Sequence, residues 1–172
     1  MDFLDVVRKR RSIRKFKNIP IPEKIIDKIV EIAMYAPSGR NSKPVDLIVI
    51  TERDKIRKVK DFRKSAYGFL ETAPLAIVVV ANKNSTTWIN DASIVAIYIQ
   101  LAAVNFGLGS CWGHAHERFY NDESVENNIK ELLNIPEEYR VLCVIGIGYP
   151  AEEKPEHSSE EIDFRKIHTE KW

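Results

Sequence analysis

Residues 91–106 (DASIVAIYIQLAAVNF) constrain the fold more than any other stretch, because their apolar positions run nearly all the way round a helical circumference. Such a helix belongs in the interior of a protein, with a sheet or further helices packed around it. The run is shorter than the ~20 apolar residues needed to span a bilayer, and Gln100 and Asn105 interrupt it, so a buried helix is expected and no membrane segment. Gly107 is its natural stop.

The sheet shows as three apolar runs: 45–51 (VDLIVIT), 74–81 (PLAIVVVA) and 140–149 (RVLCVIGIGY). The second is the most continuous, as expected of a strand covered on both faces. Four more helices are predicted. Phe3, Leu4, Val6 and Val7 mark a short one at the N-terminus; Ile25, Ile29, Ile32, Ala33 and Ala36 mark another between Pro22 and Pro37. A surface helix covers 54–62, and a fourth, capped by Asp122, carries Val125, Ile129, Leu132 and Leu133 as far as Pro136. The last 22 residues, 151–172, are charged and lack hydrophobic periodicity, which predicts a tail that is loose or wrapped over a partner. A chain of 172 residues without repeats reads as one domain, 1–172, able to bury roughly 70% of its unfolded surface. Cys111 and Cys143 form no CxxC or metal spacing, and MDFLDVVRKR is no signal peptide, so a reducing cytoplasm is the expected setting.

Charge is concentrated at one place. Residues 1–17 hold seven Lys or Arg against Asp2 and Asp5, a net of +5 in a chain of net +1. The remainder is therefore at −4, which favours a local anion site over a general nucleic-acid surface. At its centre stand Arg10, Arg11, Ser12, Ile13 and Arg14. In an extended segment Arg10, Ser12 and Arg14 share one face, with Arg11 and Ile13 on the other. Arginine forks suit phosphate or carboxylate and keep their charge at any working pH.

Two further stretches have site character. Residues 37–44 (PSGRNSKP) form a polar loop between prolines, and 107–114 (GLGSCWGH) are glycine-rich. Neither the latter nor Gly146–Gly148 is a dinucleotide fingerprint, since one lacks a preceding strand and the other runs into Tyr149 and Pro150. His114 and His116 on a strand would share a face and, with Glu117, suggest a metal. Two histidines without a third ligand are more simply solvent-facing or substrate-facing, so no metal is expected.

Taken in order, RRSIRKF, APSGRNSKP, GLGSCWG, IGIGYPAEEKP and the terminal HTEKW resemble the nitroreductase family of FMN-dependent oxidoreductases over nearly the whole chain. The resemblance implies an α+β fold with a central mixed β-sheet flanked by helices, and an interlocked homodimer with swapped terminal segments. FMN would lie at the dimer interface. Arg10, Arg11 and Ser12 would hold its phosphate and ribityl chain, and Arg14 would approach the pyrimidine edge of the flavin. Ser38, Gly39 and Asn41 would come from the partner, while Trp112 and Gly113 would lie along the ring, with a backbone amide near Gly113 or His114 bonded to its N5. NADH or NADPH would be the electron donor and a small electron-poor organic molecule (a nitroaromatic, quinone or enone) the acceptor. No side chain is expected to act as a catalytic acid, base or nucleophile.

The family also admits reductive dehalogenases and flavin-consuming enzymes, and a flavin-binding protein for storage or sensing is the alternative outside enzymology. The chain departs from the family at 156–161 (EHSSEE), where the resemblance calls for Lys or Arg to complete the phosphate site. Lys154, His157 and Arg165 are the candidate substitutes.

Overall fold

The computed structural model describes residues 1–172. In chain order it has α1 (Phe3–Lys9), α2 (Glu23–Met34), β1 (Val45–Ile50), α3 (Arg53–Asp61), β2 (Leu75–Asn82), α4 (Trp88–Asn105) and β3 (Gly109–His114). There follow β4 (Phe119–Tyr120), β5 (Glu123–Ser124), α5 (Val125–Leu133) and β6 (Tyr139–Gly148). Four strands form one sheet in the order β1-β2-β6-β3, all pairs antiparallel, and β4 and β5 make a separate small hairpin. The mixed character of the α+β fold is confined to one parallel bridge, Ser12 to Ser110, on the outer side of β3.

Alternation along β2 builds two cores. Leu75, Ile77, Val79 and Ala81 face α2 and α4, where Ile29, Ala33, Ala96, Ile99 and Ala103 meet them. Ala76, Val78 and Val80 face the other way, toward Ile56 and Val59 of α3, Tyr67, Phe69 and Leu70, and Ile129 of α5. Both faces of β2 are thus covered, as its unbroken apolar run requires. Complete burial of Leu75, Ile77, Ile99 and Ile145 contributes roughly 1.5–3 kcal/mol for each side chain.

α4 is interior, but it starts a turn earlier than its apolar pattern, at Trp88. The extra turn is secured by Asp91, whose carboxylate accepts from Thr87 Oγ1 at 2.8 Å. The expected cap of α5 is corrected. Ser124 caps it, its Oγ accepting from the Asn127 N–H at 3.2 Å, whereas Asp122 occupies the β4–β5 turn with φ of 64°. Asp tolerates that left-handed conformation, and the turn places it too early to reach the helix.

The glycine-rich run is an edge strand that periodicity did not reveal. A Cβ on Gly109 would lie 2.7 Å from Ile13, and one on Gly113 2.7 Å from the Tyr67 ring. These close approaches demand glycine and erase the alternation by which a strand is recognised. The tail has only two short turns, Ser159–Glu161 and Phe164–Lys166. Ile162, Phe164, Ile167 and Trp172 stand exposed along it.

Candidate functional site

Beyond α1 the chain runs extended along the outer side of β3. The Ile13 N–H donates to the Ser110 carbonyl at 2.9 Å, Lys17 to Tyr149 at 2.8 Å, and Ala151 back to Lys15 at 2.9 Å. Ile13 is buried, so alternation turns Arg10, Ser12 and Arg14 to the opposite face; the pattern ends there, because Phe16 is buried as well. Arg11 points elsewhere and donates to the Pro155 carbonyl of the tail.

No carboxylate lies within 4.0 Å of the guanidiniums of Arg8, Arg10, Arg11 or Arg14. Glu152 meets Arg14 through the backbone, accepting its N–H, and this bond, ahead of Lys154, holds the Glu152 carboxyl below the usual range. Between α1 and the tail a hollow of about 410 Å³ is lined by Arg8, Arg10, His157, Ser158, Ser159 and Glu161. Positive charge without a protein partner, facing a hollow with hydroxyl donors, is suited to a phosphate.

The same edge continues along β3. Its Ser110 carbonyl is taken by Ile13, and its His114 carbonyl by Tyr67 Oη at 3.0 Å and Arg63 at 3.2 Å. Antiparallel alternation turns the Trp112 backbone outward as well, and no loop hydrogen bond reaches it. Between two anchored carbonyls the strand therefore offers an open backbone edge. The Trp112 and His114 rings stack beside it, 6.3 Å apart and 17° from parallel. Burial, followed by the charges of Arg118, His116 and Arg63, pushes the His114 pKa down, disfavouring the charged imidazolium. Burial raises the Cys111 thiol, and the charge of Arg14 opposes it.

Ser38, Gly39 and Asn41 lie elsewhere. Their loop leads into β1, at the far side of the sheet from β3, and is held by the first turn of α4. The Gly39 N–H donates to Asp91 Oδ1 at 2.9 Å, and the Lys43 N–H to Ser38 Oγ at 2.8 Å. Arg40, Asn41 and Lys43 take left-handed φ values of 54°, 55° and 47°. A Cβ on Gly39 would fall 2.5 Å from Thr87 Oγ1. Asp91, 3% exposed, is a site-building residue that sequence reading missed, though a carboxylate at the head of an apolar helix was its signal. The Ser12–Ser110 bridge lies just past the other end of α4, so roughly 20 Å separate the two groups at 1.5 Å per residue. One chain thus gathers Arg10, Ser12, Arg14, Trp112 and Gly113 along one edge, turns the Arg11 side chain to the tail, and leaves Ser38, Gly39 and Asn41 apart.

His116 belongs to a polar knot. Glu126, 4% exposed, accepts from Arg140 Nε at 2.6 Å, Arg140 Nη2 at 2.9 Å and the Val141 N–H at 2.9 Å. His116 Nδ1 stands 3.2 Å from Arg140 and 3.4 Å from Glu126, with the edge of its ring system against Trp88. Burial pushes the Glu126 pKa up, but the bonds from Arg140 and Val141 and the Arg140 charge outweigh it, and the net shift is downward. This nitrogen is thereby committed, and no three His, Cys, Asp or Glu side chains converge as a metal would need. The candidate basic substitutes in the tail are likewise engaged: Lys154 with Glu152 at 3.3 Å, His157 with Glu161 at 2.6 Å, and Arg165 with Asp163 at 2.8 Å.

Residues 7–67 and 59–149 match the model of the Nitroreductase family. Over its whole length the chain is 36% identical to a protein of Methanothermobacter thermautotrophicus named as a candidate NADH dehydrogenase/NAD(P)H nitroreductase, covering 88% of it. An iodotyrosine deiodinase of Thermotoga neapolitana is 25% identical, with 94% of this chain and 95% of that protein covered. Among solved structures, an FMN-dependent nitroreductase from Clostridium difficile R20291 superimposes with a TM-score of 0.95 at 38% identity, covering 98% of this chain and 99% of that one. These matches make the protein an oxidoreductase. The chain belongs to the nitroreductase family.

Proposed function

We propose that the outer edge of β3 and the arginine segment beside it form the FMN site of an NAD(P)H-dependent flavin oxidoreductase, in a cleft that a second copy of the chain completes. The observation that carries this is a continuous edge joining unpaired guanidiniums at Arg10 and Arg14 to an open backbone at Trp112. It matches a molecule with a phosphate at one end and a hydrogen-bonding planar ring at the other.

Bound FMN supplies the two-electron chemistry between NADH or NADPH and the acceptor. The chain's residues bind and orient it. Arg10 and Ser12 hold the phosphate and ribityl chain, each charged hydrogen bond contributing about 1.5–3 kcal/mol; Arg11 joins them only by leaving the Pro155 carbonyl to which it donates. Arg14 adds a fixed cation beside the pyrimidine edge, favouring the reduced flavin and raising its potential. Trp112 and Gly113 lie along the ring. Alternation on β3 refines the N5 donor to an outward amide, His114 rather than Gly113.

The separation of Ser38, Gly39 and Asn41 from this edge supports their delivery by the partner. Two apolar surfaces support the same arrangement. Met1, Phe3, Val6, Ile32, Tyr98 and Leu101 line an open hollow of about 430 Å³, and the tail carries exposed Ile162, Phe164, Ile167 and Trp172. Contiguous apolar surface of this kind is typical of an interface, and swapped termini would bury it. The acceptors are small electron-poor organics such as nitroaromatics, quinones or enones; the deiodinase relative brings haloaromatics into the same class. No helix is long and apolar enough to cross a membrane, and the two free thiols fit a cytoplasmic setting.

The test is anaerobic. FMN-reconstituted protein mixed under argon with NADH or NADPH should lose its flavin absorbance and regain it on addition of a quinone or nitroaromatic. No bleaching with either donor would favour flavin storage or sensing. Sedimentation should give a dimer.

A further inference from the structure

Of the tail's basic residues, Lys154, His157 and Arg165 each face an acid, and Lys166 and Lys171 do not line the hollow beside Arg10. Arg8 is different. It stands in the last turn of α1, lines the same hollow as Arg10, and has no carboxylate within 4.0 Å. The tail is fastened over it, since the His157 N–H donates to the Arg8 carbonyl at 2.9 Å and so brings Ser158 and Ser159 to the opposite wall. Glu161 is the one acid lining the hollow, and its carboxylate is engaged by His157 Nδ1 at 2.6 Å and by the Ser158 N–H at 3.3 Å. The Ser158 oxygen accepts from the Glu161 N–H, so what remains for a ligand is two guanidinium forks, the Ser159 hydroxyl and the O–H of Ser158, a donor set for a phosphate monoester.

We propose that Arg8, with Ser158 and Ser159, binds the terminal phosphate of FMN alongside Arg10, taking the place of a basic residue on the tail. The proposal rests on the FMN reading above. Arg8 is exposed on a short helix, so its replacement should leave the fold intact.

Apoprotein is titrated with FMN and with riboflavin, which has the same ring but no phosphate, and bound flavin is followed by fluorescence. Arg8→Ala should raise the FMN Kd about tenfold or more and leave the riboflavin Kd within about twofold. Arg8→Lys, which keeps the charge but loses the fork, should fall between. FMN binding by Arg8→Ala should also weaken less steeply with added salt, and inorganic phosphate should compete with FMN less well than in wild type. An FMN Kd unchanged in Arg8→Ala overturns the proposal. So does a riboflavin Kd that rises in step, because Arg8 would then act only through the fold. Should Arg8→Ala not fold, Ser159→Ala decides: a few-fold loss for FMN alone supports the site, and no loss overturns it. A wild-type protein that binds no FMN removes the function proposed above as well, whereas a silent Arg8→Ala removes only this assignment.

Discussion

Asp91→Ala tests how the buried helix builds the site. The wild-type carboxylate accepts from the Gly39 N–H at 2.9 Å and from Thr87 Oγ1 at 2.8 Å. Each hydrogen bond to a charged group contributes about 1.5–3 kcal/mol. Thr87 and Gly39 are only half-buried and regain water in the variant, so the combined loss should be about 2–4 kcal/mol. For a domain of this size, 1 kcal/mol shifts Tm by about 2–4 °C, and the expected fall is roughly 5–15 °C. Asp91→Asn keeps an oxygen for Gly39 and can donate its amide to the Thr87 hydroxyl, so it should lose only about 1 kcal/mol. The assay is thermal and urea denaturation of the flavin-free protein at fixed concentration, followed by FMN titration of both variants. FMN affinity should fall with Asp91→Ala, because the 38–43 loop is released, and recover in Asp91→Asn. The reasoning is refuted if Asp91→Ala loses under about 0.5 kcal/mol, or if Asn is no better than Ala.

Gly113→Ala should destabilise by about 1–3 kcal/mol, since its Cβ would lie 2.7 Å from Tyr67 and 3.0 Å from Phe69, two buried rings; unchanged urea midpoints would mean that β3 simply shifts outward. Glu126→Ala leaves Arg140 without its partner and should lose about 3 kcal/mol at pH 7. Because the folded Glu126 pKa is depressed, its contribution is complete above the unfolded value near ~4.3 and fades as pH falls through the folded one. The stability gap between wild type and Glu126→Gln should therefore close in acid, and a gap constant down to pH 3 would count against the ion pair. Ser110 Oγ is the buried side-chain polar atom with no partner; Ser110→Ala should stabilise by about 1 kcal/mol in calorimetry, and a lower Tm would show that the hydroxyl is bonded after all.

Elements defined by apolar pattern could be read from the chain. α4, β1, β2 and β6 stand within a turn or a residue or two of where hydrophobicity placed them, because burial imposes a period that sequence retains. β3 could not be read in this way. Gly109 and Gly113 are selected by what approaches them, Ile13 and Tyr67, and both neighbours are distant in sequence. The same holds within the site. The cluster at Arg10–Arg14 is local and was visible, whereas Asp91 reaches Gly39 across 52 positions and the His157 N–H reaches Arg8 across the whole chain. Asp122 misled because an Asx residue just ahead of a helix is an equally good turn residue, and only the hairpin decides between the two roles.

The length of α4 has a genetic consequence. It holds the arginine edge and the Asp91-anchored loop at opposite ends of one molecule, so under the pairing proposed above two chains would own two composite centres, each assembled from unlike halves. A mutant crippled at Arg10 and another crippled at Asn41 would each be dead alone, yet a mixed pair would reconstitute one sound centre and concentrate both lesions in the other. Co-expression of the two should restore up to half of the wild-type turnover per mixed pair.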